Sequence, residues 1–319
     1  MAFRTYCKWF RIPPAIVAVL MLPAVVSAAP AAEKSLFAVA SELFKLRLTT
    51  LVLLTTLVGF YLGSRGPMPL RLMLSAVFGT ALLACGASAL NQLLERDLDV
   101  KMRRTQDRPL PSGRMTPEAV LIIGGVCAGA GLIWLALAVN LLTALLGAVT
   151  LASYVFVYTP LKRITTLNTA IGAIPGALPP LMGWTAARGE ISAEGWSLFA
   201  ILFFWQLPHF LAIAWMYKDE YAKAGFVMLP VVDQTGERTG RQALSHTLGL
   251  LPISLSPFLF KLVGPYYLFG ALALGLAFVW CAFQFARSRT ISRARALFYA
   301  SILYLPLLLG LMVIDKVRI

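Results

Sequence analysis

The sequence predicts an all-α integral membrane protein with nine transmembrane helices. Three observations predict it: the composition, the length of the apolar runs and the sidedness of the basic residues. Of the 319 residues, 59% are hydrophobic and only 13% charged, and the mean hydropathy is +0.78. Apolar runs long enough to span a bilayer fall near 48–64, 70–90, 118–139, 141–159, 168–186, 197–216, 243–263, 266–286 and 296–315. A soluble helical core does not sustain such runs with so few charges. With the N-terminus in the cytoplasm, 22 of the 28 lysines and arginines fall in inward-facing segments: 1–47, 96–114, 162–163, 218–241 and 287–295. That bias assigns an N-in, C-out orientation. It also accounts for the net charge of +14 without any nucleic-acid partner.

Along the chain, residues 1–35 form an N-terminal arm and 36–319 a single membrane domain. In the arm, Arg4, Lys8 and Arg11 precede the apolar stretch IVAVLMLPAVVSAAPAA, which has the form of a signal peptide. Cleavage there would put the mature N-terminus outside and most basic residues on the wrong face. The arm is therefore read as interfacial, or as no part of the mature protein. The four cysteines, Cys7, Cys85, Cys127 and Cys281, show no paired spacing, so neither a disulfide framework nor a zinc site is expected. Two loops, 91–117 and 217–242, are long, charged and on the same side, which suggests two helices presenting polar ends to one shared cavity.

The end of the second span carries the strongest chemical signal, in NQLLERDLDVKMRRTQDRPLPSG. Asn91, Glu95 and Asp99 recur every four residues. On a helix each step turns the azimuth by only about 40° and rises about 6 Å, so the three oxygen-bearing side chains form one stripe. Carboxylates within an apolar run are costly and are usually functional. Such a stripe can hold Mg²⁺, which completes its shell with phosphate oxygens, while Lys101, Arg103, Arg104 and Arg108 follow at once to clamp phosphate charge. A diphosphate is the expected ligand. Asp97 falls on the opposite side of the helix and is read as a surface charge.

The fourth span closes on Tyr158 in YTPLKRITTLN, where Pro160 predicts a turn and Lys162 and Arg163 add two cations on the same face. The fifth span contains Pro175, Pro179 and Pro180 and is expected to be bent or broken where it lines a cavity. In the sixth, FWQLPHFLAIAWMYKDEYAKAGFVMLPV, Pro208 removes the helical partner of the Phe204 carbonyl, which predicts a kink beside Gln206 and His209. A second acidic pair, Asp219 and Glu220, lies between Tyr217 and Tyr221. Asp219 is some 15 Å along a continuous helix from His209, so metal and phosphate are expected at the cavity mouth and acceptor chemistry deeper.

The patterns NxxxExxxDxxMxRTxxRPLxxG, YTPLKRxTxxN and WQxPHF followed by YKDEYAKAGFVMLPV, in this order over about 41–315, resemble the UbiA superfamily of intramembrane prenyltransferases, and within it the branch that farnesylates haem. The pair Lys45 and Arg47 in FKLRLTTL departs from the family, which usually has a proline between them. The resemblance implies nine helices around a central cavity, with farnesyl diphosphate and haem B as substrates in a lipid bilayer. Mg²⁺ would be held by Asn91, Glu95, Asp99 and Asp219, and the diphosphate by Arg103, Arg104, Arg108, Lys162 and Arg163. Tyr158 and Phe204 would flank the farnesyl cation, with Gln206, His209 and Tyr217 in the acceptor pocket and His209 ligating or orienting the haem. A haem A synthase or a terminal oxidase is the partner by the same analogy. Two other readings remain open: prenylation of an aromatic quinone precursor, and an ion-coupled transporter.

Overall fold

The computed structural model describes residues 34–317, so the arm and its proposed interfacial role lie almost wholly outside the described residues. The elements are α1 (Leu36–Leu43), α2 (Leu46–Gly63), α3 (Leu70–Asp99), α4 (Pro117–Ala138), α5 (Leu141–Leu161), α6 (Asn168–Arg188), α7 (Ala193–Met216), α8 (Lys218–Ala224), α9 (Leu229–Val232), α10 (Glu237–Leu259), α11 (Pro265–Ser288) and α12 (Ile291–Ile314). Local chemistry sets several starts. Thr116, Asn140 and Thr290 accept hydrogen bonds from Ala119, Thr143 and Arg293 N–H, and Pro117 opens α4 where its missing N–H costs nothing.

Nine of these helices have 18 or more residues and coincide with the nine apolar runs. Seven are long and apolar enough to cross a membrane, and the other two are α6 and α10. α6 is diluted by Asn168, threonines, glycines and three prolines, and α10 opens on Glu237, Arg238 and Arg241. The chain is a multi-pass membrane protein.

Three local details follow from packing. α6 is one helix through Pro175, Pro179 and Pro180, without the break its prolines allow, and α7 continues past Pro208. Packing overrides propensity here, because all four prolines are buried between neighbouring helices, which hold the backbone in place. α3 outlasts the apolar run and spans 30 residues, Leu70–Asp99, so the whole polar stripe is helical, as its four-residue spacing predicts. Within α5, residues Ser153–Tyr158 adopt π-helical hydrogen bonding, a local widening that often marks functional sites.

α6 is the spine of the bundle, packed on α2, α5 and α7, while α7 also packs on α10 and α12. The α2–α6 crossing is close enough to exclude any side chain. A Cβ on Gly59 would come within 2.0 Å of Pro180 O, and one on Gly183 within 1.9 Å of Thr56 O. Small residues at such crossings let helices associate by backbone contact. The main core then collects Trp184, Leu198, Ile201, Trp215, Phe278 and Phe285. Exposed Ile122, Ile133, Leu137, Phe269, Trp280 and Leu303 cover the outside, as expected of a surface solvated by lipid. At the end opposite the stripe, Lys316 Nζ donates to Tyr61 O and Ser64 O at 2.6 and 2.7 Å, and Asp315 Oδ2 accepts from Tyr267 N at 2.7 Å, joining α12 to α2 and α11.

Gly59→Val is expected to destabilise the bundle by about 1–3 kcal/mol or more through overpacking against α6. Gly125→Ala, at a position with open space, serves as the control. Thermal unfolding in detergent checks this, and equal melting of the two variants would refute the close crossing.

Candidate active site

The α3 stripe ends inside a cavity of about 310 Å³. Asn91, Glu95 and Asp99 are 0%, 4% and 0% exposed, so each must be satisfied within the protein. A different element supplies a cation to each. Lys45, from the α1–α2 junction, donates to Asn91 Oδ1 at 2.6 Å. Lys162, just past α5, donates to Glu95 Oε1 at 2.6 Å, and Arg108, from the turn after α3, donates to Asp99 Oδ2 at 2.7 Å.

The surrounding backbone is arranged to allow this. Thr105 Oγ1 donates to Asp99 O at 2.8 Å, closing α3, and the chain turns through 101–113 so that Arg108 points back at the stripe. After the π-helical stretch, Thr159 Oγ1 accepts from Asn91 Nδ2 at 3.1 Å and donates to Tyr154 O at 2.9 Å. Val227 N donates to Lys162 O at 2.7 Å, and Asn168 Nδ2 donates to Val227 O at 2.9 Å. These bonds fix Phe226 and Met228 as cavity wall.

Aromatic faces line the basic side. Lys162 Nζ lies 4.6 Å from the Tyr158 ring centroid and 5.8 Å from that of Phe226. Arg104 sits 5.4 Å from the Tyr217 ring and 5.6 Å from that of Tyr221, and donates to Tyr221 Oη at 3.0 Å. Such cation–π contacts strengthen when desolvated. Burial, and next the nearby Arg108 charge, push the Lys45 amine down to about 7. Burial also opposes the charge of Lys162, but the Glu95 carboxylate and the Tyr158 and Tyr154 phenols hold its pKa above the usual lysine range.

Among the described residues, no group of three or more His, Cys, Asp or Glu side chains gathers as a metal cluster. The stripe offers two carboxylates and one amide, and Asp99 Oδ1 is buried without a hydrogen-bond partner. That orphaned oxygen fits a hard divalent cation whose remaining ligands come from water and phosphate.

The UbiA prenyltransferase family matches residues 52–305. The chain belongs to this family. A protoheme IX farnesyltransferase of Solibacter usitatus is 48% identical over 284 residues, covering 86% of this chain and 97% of that relative. The fold is that of solved family members. A structure described as digeranylgeranylglyceryl phosphate synthase superposes with a TM-score of 0.76 over 89% of this chain and 99% of that one, at 14% identity. A UbiA homolog from Archaeoglobus fulgidus bound to GPP and Mg²⁺ superposes with a TM-score of 0.62 over 86% of this chain and 99% of that one, at 16% identity.

Against the family pattern, the structure brings together Asn91, Glu95, Asp99, Arg104, Arg108, Tyr158 and Lys162. It does not bring in Arg103, Arg163 or Asp219, which are exposed and line no part of this cavity. Asp219 stands in the first turn of α8 with its charge in solvent, and Tyr221 takes the cavity position two residues on. Tyr217 reaches the site only through Arg104.

α7 divides its side chains among three neighbours, because successive residues differ by about 100° around the helix. Phe210 and Ile213 line the cavity, and Gln206, one turn deeper, packs on Gly176 and donates to Ala173 O and Leu202 O. Phe204 faces His246 and Gly249 on α10. His209 stacks between Trp205 and Phe298, with Nδ1 2.7 Å from Ser301 Oγ on α12. Ser301 gives its one hydroxyl proton to Phe298 O at 2.5 Å, so Nδ1–H donates and the Nε2 lone pair stays available.

Sequence reasoning missed Lys45, Phe210, Phe226 and Met228 as site residues. Lys45 stands among basic residues that the membrane-anchoring rule already explains, and the three apolar ones carry no chemical signature.

Lys162→Met leaves Glu95 charged, buried and unpaired, and is expected to cost about 3–5 kcal/mol. The double variant with Glu95→Gln should recover most of that loss. A double-mutant cycle on thermal or denaturant unfolding measures it, and additive losses would argue against the pair.

Proposed function

We propose that the chain transfers the farnesyl group of farnesyl diphosphate to a vinyl group of haem B, with addition of water, giving haem O and diphosphate. The observation that carries this reading is the 48% identity, across nearly the whole of a protoheme IX farnesyltransferase, of a chain whose polar stripe lies in a cation-lined cavity. A coupling-ion transporter would hold its carboxylates near the bilayer midplane, whereas these stand at the end of α3.

The residues divide the work by position. Asn91, Glu95 and Asp99 are the oxygen donors for Mg²⁺, which when bound supplies Lewis-acid charge neutralisation to the diphosphate. Arg108, Lys162 and Arg104 bind diphosphate oxygens and stabilise the charge that develops as the allylic C–O bond breaks. The faces of Tyr158, Tyr221 and Phe226 flank the allylic chain, where negative π density favours a carbocation. The apolar wall of Phe210, Ile213 and Met228 keeps bulk water from the cation until the vinyl π electrons have attacked. Water then captures the carbon next to the ring and loses a proton.

His209, with Nε2 unprotonated, serves the haem at the α7–α12 seam, as an axial ligand or by orienting the macrocycle. Arg103, Arg163 and Asp219 are left outside the reacting set. By the positive-inside rule the cavity faces the cytoplasm of a bacterial inner membrane. Delivery of haem O to a haem A synthase or a terminal oxidase is the corresponding partnership.

Mass spectrometry of haem extracted from membranes supplied with farnesyl diphosphate and Mg²⁺ tests the reaction. The hydroxyethylfarnesyl product is expected with the intact chain and at least about 100-fold less of it with Asp99→Asn. Unchanged haem B with folded protein and both substrates present would overturn the acceptor, and a normal Mg²⁺ titration in Asp99→Asn would overturn the metal ligand. His209→Ala is expected to stop haem turnover while a non-transferring farnesyl diphosphate analogue still binds. Loss of analogue binding would refute that division.

A further inference from the structure

Each member of the stripe is already covered, and by a different cation. Lys45 holds Asn91 Oδ1, Lys162 holds Glu95 Oε1 and Arg108 holds Asp99 Oδ2, at 2.6, 2.6 and 2.7 Å. Lys162, Arg104 and Arg108 are three full cations in the cavity, and with the Lys45 amine they outnumber its two carboxylates. A divalent ion arriving alone meets like charge between low-dielectric walls, where repulsion is weakly screened. It also finds one oxygen of each ligand group taken.

Lys45 stands apart from the other two. Its partner is a neutral amide, so this hydrogen bond gains less than the two ion pairs do. Its backbone sits at φ 48°, a left-handed conformation that residues with a side chain seldom adopt. Strain of this kind persists where surrounding structure enforces it, often at functional sites. The strained junction puts an ammonium against Asn91, where no carboxylate requires it.

We propose that Lys45, Lys162 and Arg108 form an exchangeable lock: each cation covers one stripe ligand until a prenyl diphosphate draws it off, so that metal and diphosphate bind only as a mutually dependent pair. The proposal rests on reading the cavity as a diphosphate site. Phosphate oxygens compete better than an amide for an ammonium, because both partners are then charged. As Lys45 turns to the diphosphate, Asn91 Oδ1 is released. Lys162 and Arg108 have charged partners, so they leave Glu95 and Asp99 only as metal and diphosphate arrive together, the ion taking each carboxylate while the phosphate takes the cation and offsets the repulsion that kept the ion out. By linkage, the diphosphate must tighten metal binding by the factor by which metal tightens the diphosphate, and such couplings are commonly about 5- to 150-fold. The lock keeps the carboxylates neutralised before substrate arrives.

The test uses the full chain in detergent with Mn²⁺ as the metal, read by electron paramagnetic resonance of the free ion, first without any diphosphate. Wild type is expected to leave nearly all Mn²⁺ free under conditions where Lys45→Met binds it at least about tenfold more tightly. Arg104→Met removes a cation from the same cavity without uncovering a stripe oxygen, and should raise Mn²⁺ affinity by clearly less than Lys45→Met does. Lys45→Gln repeats the experiment with a polar side chain in case Lys45→Met misfolds. In the second arm, farnesyl thiolodiphosphate is titrated with and without Mn²⁺. Mutual tightening in wild type that shrinks in the Lys45 variants supports the lock. Equal Mn²⁺ affinity in wild type and both Lys45 variants, or an equal gain in Arg104→Met, overturns it. Failure of wild type to bind the analogue under any condition would instead overturn the diphosphate reading itself.

Discussion

Buried carboxylates must be paired, and the active end of this protein is organised around that constraint. Glu95 and Asp99 stand on an apolar helix with side chains 6% and 1% exposed, where an isolated charge would cost several kcal/mol. Lys162 and Arg108 answer them from segments far apart in sequence. Each pair therefore does more than neutralise charge: it fixes where a loop must run. Lys162 fixes the end of α5, and through its carbonyl the strand of chain carrying Phe226 and Met228. Arg108 fixes the turn after α3. The cavity is what remains between segments held by these contacts.

The helices behind the cavity follow a different rule. In lipid there is little hydrophobic gain from bringing helices together, so close backbone approach and shape decide the packing. α6, diluted by threonines, glycines and prolines, lies at the centre because its glycines admit α2 and its prolines are buried. The outward helices α4 and α11 carry large apolar side chains to the lipid instead.

On the proposed reading, the same arrangement separates two chemical tasks. Charge is handled at the mouth, among α3, α5, α8 and the intervening turns, while His209 is engaged on the α12 side of α7. Pocket-facing Phe210 and seam-facing His209 are adjacent in sequence, so one helix serves both regions and any rotation of it would disturb both.

The long helices, the polar stripe and the family are legible in the amino-acid order, because each depends on information local to a segment. Apolar length sets a span, a four-residue repeat aligns Asn91, Glu95 and Asp99 on any helix, and the motif order is read directly. The apolar run of the second span ends near residue 90, yet the hydrogen-bonded helix continues to Asp99 and carries the stripe, as the repeat predicts. Which side chains meet is a matter of packing between distant segments. Arg103 and Arg104 are neighbours in the chain, yet only Arg104 finds the tyrosines of the cavity. Asp219 looked like a ligand and faces solvent, while Lys45 looked like a membrane anchor and holds Asn91. About 100° of rotation separates each helical residue from the next, and the direction that faces the cavity is set by packing against distant helices, which no local pattern encodes.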